Sequence, residues 1–148
     1  MKDKFKQVYM NVAKEFANLS SARKLKVGAI LVKDNRILSV GYNGTPTGWD
    51  NDCEHLLERG NGTHKMITKD VVIHAESNCI SKVAASTESS VGAVMFCTHT
   101  PCIDCAKLIH QAGIIKVYIS EEYKAGRGSG VAFLNECGIK VELLDFSH

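Results

Sequence analysis

The chain has 148 residues, 45% of them hydrophobic, and its 18 Lys and Arg against 16 Asp and Glu leave a formal net charge of +2. That size and apolar content suit one domain with a buried core, and the intermixed charges lack the dense basic stripe of a nucleic-acid binder. No apolar run is long enough to span a bilayer and the amphipathic start MKDKFKQVYMNVAKEF has no signal-peptide pattern, so a cytoplasmic protein is expected, whose six cysteines serve as free thiols, catalytic thiols or metal ligands.

Phe5, Val8, Val12, Phe16 and Leu19 recur at spacings of three and four, which predicts an amphipathic helix over residues 3–19 with that stripe on the core. Two apolar runs around Asp34-Asn35 predict a β-hairpin with strands at 27–32 and 36–42. From residue 44 to about 70 the chain is polar and punctuated by glycine, with at most one short helix around 53–59. A loop this long within a domain is usually functional. Helices are then expected at about 74–85, 102–113 and 128–137, alternating with strands at 92–98, 115–120 and 139–146. This order implies one α/β domain across residues 1–148, a sheet with helices on both faces.

Two short motifs carry the chemistry. HAE at 74–76 opens one helix and PCIDC at 101–105 opens the next, which brings His74, Cys102 and Cys105 to one end of the sheet with Glu76 beside them. Imidazole and thiolate are zinc ligands, and three of them leave a fourth tetrahedral position for water, the arrangement of a catalytic site. Cys102 and Cys105 are one helical turn apart, Pro101 suits the helix entry, and a helix N-terminus favours thiolate. Two thiolates cancel the ion's charge and blunt its acidity, so a neighbouring carboxylate that accepts a proton from water restores the nucleophile; Glu76 is placed for that. Alone, the cysteine pair reads as a structural zinc half-site or redox pair. Cys53, Cys79, Cys97 and Cys137 form no second close pair, and the last three sit in apolar contexts as core thiols.

Together, HAE and PCxxC form the zinc deaminase signature, in which the glutamate is the general acid/base and not a ligand. VGAILVKDNRILSVGYNGTP, HAESN and TPCIDCAKLIHQAGI, within residues 20–143, closely resemble the deoxycytidylate (dCMP) deaminases. The resemblance implies a three-layer α/β/α fold with a mixed five-stranded sheet, and hydrolysis of dCMP to dUMP and ammonia, supplying dUMP for thymidylate synthesis. It makes His74, Cys102 and Cys105 the zinc ligands and Glu76 the proton carrier. Asn43 would hold the sugar, Ala75 and Thr100 the pyrimidine edge, and Tyr123 would lie near the base. Ser21, Arg23, Lys24 and Arg127 are candidates for the 5′-phosphate.

The same resemblance implies a homo-oligomer, a hexamer in the family, activated by dCTP and inhibited by dTTP. Gly48, Trp49, Asp50, Asn51, Glu54 and Arg59 of the long loop are then candidates for the effector triphosphate and its Mg²⁺. His99 departs from the apolar residue usual in relatives, and Cys53, His55 and His64 are scattered candidates for a second zinc. Two other readings stay open: a deaminase of another cytosine nucleoside or nucleotide, or of tRNA adenosine, and a zinc-stabilised binding module without turnover. The modest charge disfavours RNA.

Overall fold

The computed structural model describes residues 1–123 and 129–146. Helix α1 (Asp3–Ala17) leads into the hairpin β1 (Gly28–Lys33) and β2 (Arg36–Tyr42), and a second hairpin follows, β3 (Glu54–Glu58) and β4 (His64–Thr68). Then α2 (Ala75–Ala84), β5 (Val94–His99), α3 (Ile103–Gln111), β6 (Lys116–Glu121), α4 (Val131–Glu136) and β7 (Lys140–Leu143) alternate. Five strands form one mixed sheet in the order β2-β1-β5-β6-β7, with β1 antiparallel to both its neighbours and β5, β6 and β7 parallel. This is the α/β arrangement expected.

Side-chain alternation along the strands divides the core into two layers. Ile30, Val32, Phe96 and Tyr118 pack under Met10 and Ala13 of α1. Ala29, Leu31, Met95, Cys97, Val117 and Ile119 point the other way, against Cys79, Ile109 and Leu134 of α2, α3 and α4. Asp34 and Asn35 turn the first hairpin with φ of 51° and 60°, a left-handed pair that short polar side chains tolerate.

Two expectations fail here. Residues 53–59 do not form a helix: β3 and β4 pair antiparallel from Glu54↔Thr68 to Glu58↔His64. Gly60 and Gly62, at φ of 76° and 82°, allow the reversal between the strands. A helix of two turns costs a nucleus that so short a segment does not recover. The face of α1 is also turned from the stripe predicted: Met10, Ala13 and Ala17 are buried, whereas Phe5, Val8 and Leu19 are exposed. Gly28 explains the choice, since a Cβ there would lie 2.0 Å from the carbonyl oxygen of Ala13. Only small residues let the helix and strand backbones approach so closely.

The register places the start of β1 and the ends of β2, β5 and β6 at one edge of the sheet, with Gly28 opposite Tyr42, Ala29 opposite Cys97 and His99 opposite Glu121. The N-termini of α2 and α3 open at that edge, where ligands gather in open α/β sheets. No helix among the described residues is long and apolar enough to cross a membrane.

Candidate active site

Helix α2 is set on the sheet before its first turn. Gly44 and Ile73 exchange backbone hydrogen bonds at 3.1 and 2.8 Å, which fixes the chain entering the helix at His74, its N-cap. Ser39 Oγ donates to the Cys79 carbonyl at 2.8 Å, and Asn78 Nδ2 donates to the Tyr42 carbonyl at 2.9 Å. A Cβ on Gly41 would stand 2.5 Å from the Ala75 oxygen, so β2 and α2 approach as only glycine permits. Helix α3 is capped by Cys102 itself, whose Sγ accepts the Cys105 N–H at 3.5 Å.

These two helix ends bring three ligand atoms together. His74 Nδ1 lies 3.3 Å from Cys105 Sγ and 3.5 Å from Cys102 Sγ, and all three atoms fall within 4.8 Å of one another. Tetrahedral zinc with ordinary bond lengths to nitrogen and sulfur separates such atoms by about 3.6 Å, so the residues fit the ion. The thiols already share a proton: Cys102 is drawn down to about 4, first by the hydrogen bond from Cys105 and then by His74, while Cys105 is pushed well up. One thiolate beside one thiol is a ligand pair ready to exchange a proton for a metal.

Glu76 sits in the first turn of α2, buried at 4% exposure. Burial pushes its carboxyl above the ordinary value, opposed by its own backbone N–H and by His74. A carboxyl held above its ordinary pKa binds a proton more readily, which suits a group that takes a proton and gives it back. Cys79 and Cys97 are fully buried and pushed up by desolvation, Cys79 to about 12, as expected of inert core thiols. Cys137 is half-buried against the same core.

A cavity of about 140 Å³ opens over Glu76, His74 and Cys102, and Asn43, Ala75, Thr100, Tyr123 and Lys24 also line it. Asn43 is anchored in the wall: its Oδ1 accepts the Val27 N–H at 2.9 Å and its Nδ2 donates to the Leu25 carbonyl at 2.8 Å. Thr100 Oγ1 accepts the Tyr123 N–H at 3.0 Å, which sets the tyrosine at the rim.

Residues 3–121 match the family model described as the cytidine and deoxycytidylate deaminase zinc-binding region. The chain belongs to this family. The deoxycytidylate deaminase of Enterobacteria phage T4 is 32% identical over 149 residues, 78% of this chain and 77% of its own length. That of Mus musculus is 39% identical over 121 residues, 79% of this chain and 65% of its own. The solved structure of the cyanophage S-TIM5 dCMP deaminase in complex with dCMP and dUMP superimposes with a TM-score of 0.86, at 44% identity, over 97% of this chain and 99% of that one. A solved structure from work on tRNA wobble-position deaminases, 22% identical with a TM-score of 0.62 over 94% of this chain and 98% of its own, shares the fold alone.

The cavity of this deaminase also holds residues that motif reasoning left out. His99, unassigned from sequence, lines it at 13% side-chain exposure. The buried Thr98 hydroxyl accepts the Gly28 N–H at 3.1 Å and lies 2.8 Å from His99 Nδ1, while Nε2 lies 3.3 Å from Glu121 Oε2; a hydrogen on Nε2 lets the ring donate to Glu121 and accept from Thr98. Burial pulls the imidazole below its ordinary pKa, Glu121 pulling back, so it is neutral near pH 7. Cys53 and Glu54, named from sequence for a second zinc and an effector, line the same cavity. Only pairing between distant segments could have revealed that placement.

The remaining candidates scatter. Ser21 is exposed and donates to the Asn51 carbonyl at 2.8 Å, outside the cavity. The Arg23 guanidinium is taken up by Asp52 at 3.0 Å and Glu54 at 3.4 Å. Arg127 lies outside the described residues. Gly48, Trp49, Asp50 and Asn51 form an exposed turn, Arg59 closes the far end of the β3–β4 hairpin, and Glu54 is drawn inward to the cavity. His55 and His64 stand on the hairpin three register pairs apart, and among the described residues no metal-ligand cluster forms besides His74, Cys102 and Cys105.

Proposed function

We propose that the chain catalyses the hydrolytic deamination of dCMP to dUMP and ammonia. One observation carries this reading: the buried Glu76 carboxyl stands beside a zinc-ligand triad and faces a cavity in a chain 44% identical to an enzyme seen with dCMP and dUMP. His74 Nδ1 and the two thiolates would hold zinc, which when bound would supply the acidity that water lacks near neutral pH. Glu76 carries one proton from the attacking water to ring N3 and the second, from the new C4 hydroxyl, to the amino group, so that the C4–N bond breaks, ammonia departs and the water oxygen stays on the ring as the carbonyl. The Asn43 amide, set by Leu25 and Val27, orients the sugar; Ala75 and Thr100 face the base edge; Tyr123 covers it. Lys24 is the cation on the cavity for the 5′-phosphate. A panel of dCMP, CMP, dCTP, deoxycytidine and cytosine, followed by ammonia release, tests this: dCMP is expected to be the best substrate, and preference for any other overturns it.

Regulation belongs to the same proposal. The turn at Gly48–Asn51 follows directly from the segment that carries Asn43, and its Asn51 carbonyl accepts a hydrogen bond from Ser21, the residue before Ala22 of the cavity lining. An effector triphosphate with Mg²⁺ bound there, dCTP activating and dTTP inhibiting, has a short mechanical route to the substrate. The exposed Phe5, Val8 and Leu19 on and just after α1 supply apolar surface for a homo-oligomer such as a hexamer. Steady-state dCMP curves unmoved by either effector would sink the regulatory part, and sedimentation showing a monomer would sink the assembly.

A further inference from the structure

We infer that Glu54 is a positioning residue for the substrate phosphate, holding Lys24 on the cavity through the backbone of Arg23 and Lys24; this rests on the dCMP reading above. Glu54 begins β3 and is buried at 1% exposure, whereas the next four residues of the strand are exposed. Its carboxylate accepts the Arg23 N–H at 3.1 and 3.0 Å, the Lys24 N–H at 3.1 Å and Arg23 Nε at 3.4 Å. Two successive backbone N–H groups directed at one anion form the concavity with which a peptide turn binds phosphate or carboxylate. Here the anion comes from the protein's own hairpin, 31 positions along the chain.

The consequence falls on charge. Asp52 and Glu54 together take up Arg23, and Asp52 also holds Lys69 at 3.5 Å. Lys24 is the one Lys or Arg among the described residues that lines the cavity. It belongs to the segment between α1 and β1, which has no helix or strand of its own. Glu54 fixes this segment on one side of Lys24, and the Asn43 amide fixes it on the other at Leu25 and Val27. Releasing the Glu54 side therefore frees the cation without touching the zinc ligands or Glu76. Binding of the phosphate should suffer, and conversion of the base should not.

Kinetics on dCMP and deoxycytidine separate this from a merely structural role. Glu54→Gln is expected to lower kcat/KM for dCMP by about tenfold or more, mostly through KM, the size of losing one contact to a charged group. Deoxycytidine, which has no phosphate, should change by less than about threefold on the same principle. Lys24→Gln should show the same selective loss, and the double variant should be no worse than Lys24→Gln alone. Glu54→Asp keeps the charge and should recover part of the dCMP activity; if Glu54→Gln does not fold, this milder variant carries the test with a smaller phosphate-selective loss. Equal losses on both substrates, or additive losses in the double variant, overturn the inference. So does a wild type that treats the two substrates alike. A wild type that deaminates deoxycytidine but not dCMP overturns the dCMP reading itself, before any variant is compared.

Discussion

His74 Nδ1 stands 3.3 Å from Cys105 Sγ although 31 positions separate the two residues in the chain. With Cys102 Sγ at 3.5 Å from the same nitrogen, the three atoms outline one face of a zinc tetrahedron. Protein purified without chelator should carry about one zinc per chain. Cys105→Ser, which replaces a thiolate by a hydroxyl, should lose that zinc on gel filtration, and metal analysis checks both statements.

The thiol pair gives that zinc site a pH dependence of definite sign. Without metal, Cys102 titrates at about 4 because Cys105 donates a hydrogen bond to it, and Cys105 keeps its proton because its own pKa is raised. At neutral pH the pair thus holds one proton, which binding must expel. Zinc affinity should rise with pH by about tenfold per unit for that proton. Below about pH 4, where Cys102 is protonated as well, the slope should steepen. Competition against a chelator across pH measures it, and a flat profile contradicts the shared-proton arrangement.

Gly41→Ala tests how closely α2 must approach β2. The added methyl would meet the Ala75 oxygen at 2.5 Å and the Cys79 nitrogen at 2.8 Å. Both are backbone atoms that cannot swing away. Overpacking of this kind costs about 1–3 kcal/mol, and it should displace the first turn that carries Glu76, so a lower melting temperature and lower activity should appear together. Gly44→Ala is the control, because nothing lies within 4 Å of a Cβ there. A Gly41→Ala protein that melts and turns over like wild type contradicts the packing described.

Asn43→Ala should weaken both the fold and the substrate complex. The amide serves Val27 N–H and the Leu25 carbonyl, and its loss leaves two backbone groups without their partner, at a cost of about 1–3 kcal/mol. Thermal melting reads that part. If the same amide orients the sugar, KM for dCMP should rise more than kcat falls; an unchanged KM removes Asn43 from the substrate contacts.

Much of this was legible along the chain, for reasons that differ from residue to residue. His74, Glu76, Cys102 and Cys105 could be picked out because their chemistry is local: two helix starts, each with its ligands within one turn. The five strands of the main sheet were legible for a similar reason, each a short apolar run set between turn or helix signals. The β3–β4 hairpin, the inward turn of Glu54 and the buried face of α1 were not legible. Each depends on a partner far away: Glu54 on Arg23, Ala13 on Gly28, the hairpin on register between segments of mixed pattern. His99 belongs with them, because Gly28, which engages its neighbour Thr98, and Glu121, which faces its ring, both lie far from it in the chain.

Glu76→Gln bears most directly on the central claim. The amide keeps the size of the side chain but cannot carry a proton between water and the pyrimidine. Zinc content and ammonia release from dCMP should be measured side by side on wild type and variant. The expected result is unchanged zinc with activity reduced by about 10²–10⁴-fold or more. A zinc-loaded wild type that releases no ammonia from dCMP, or a variant that releases it at the wild-type rate, would contradict the account.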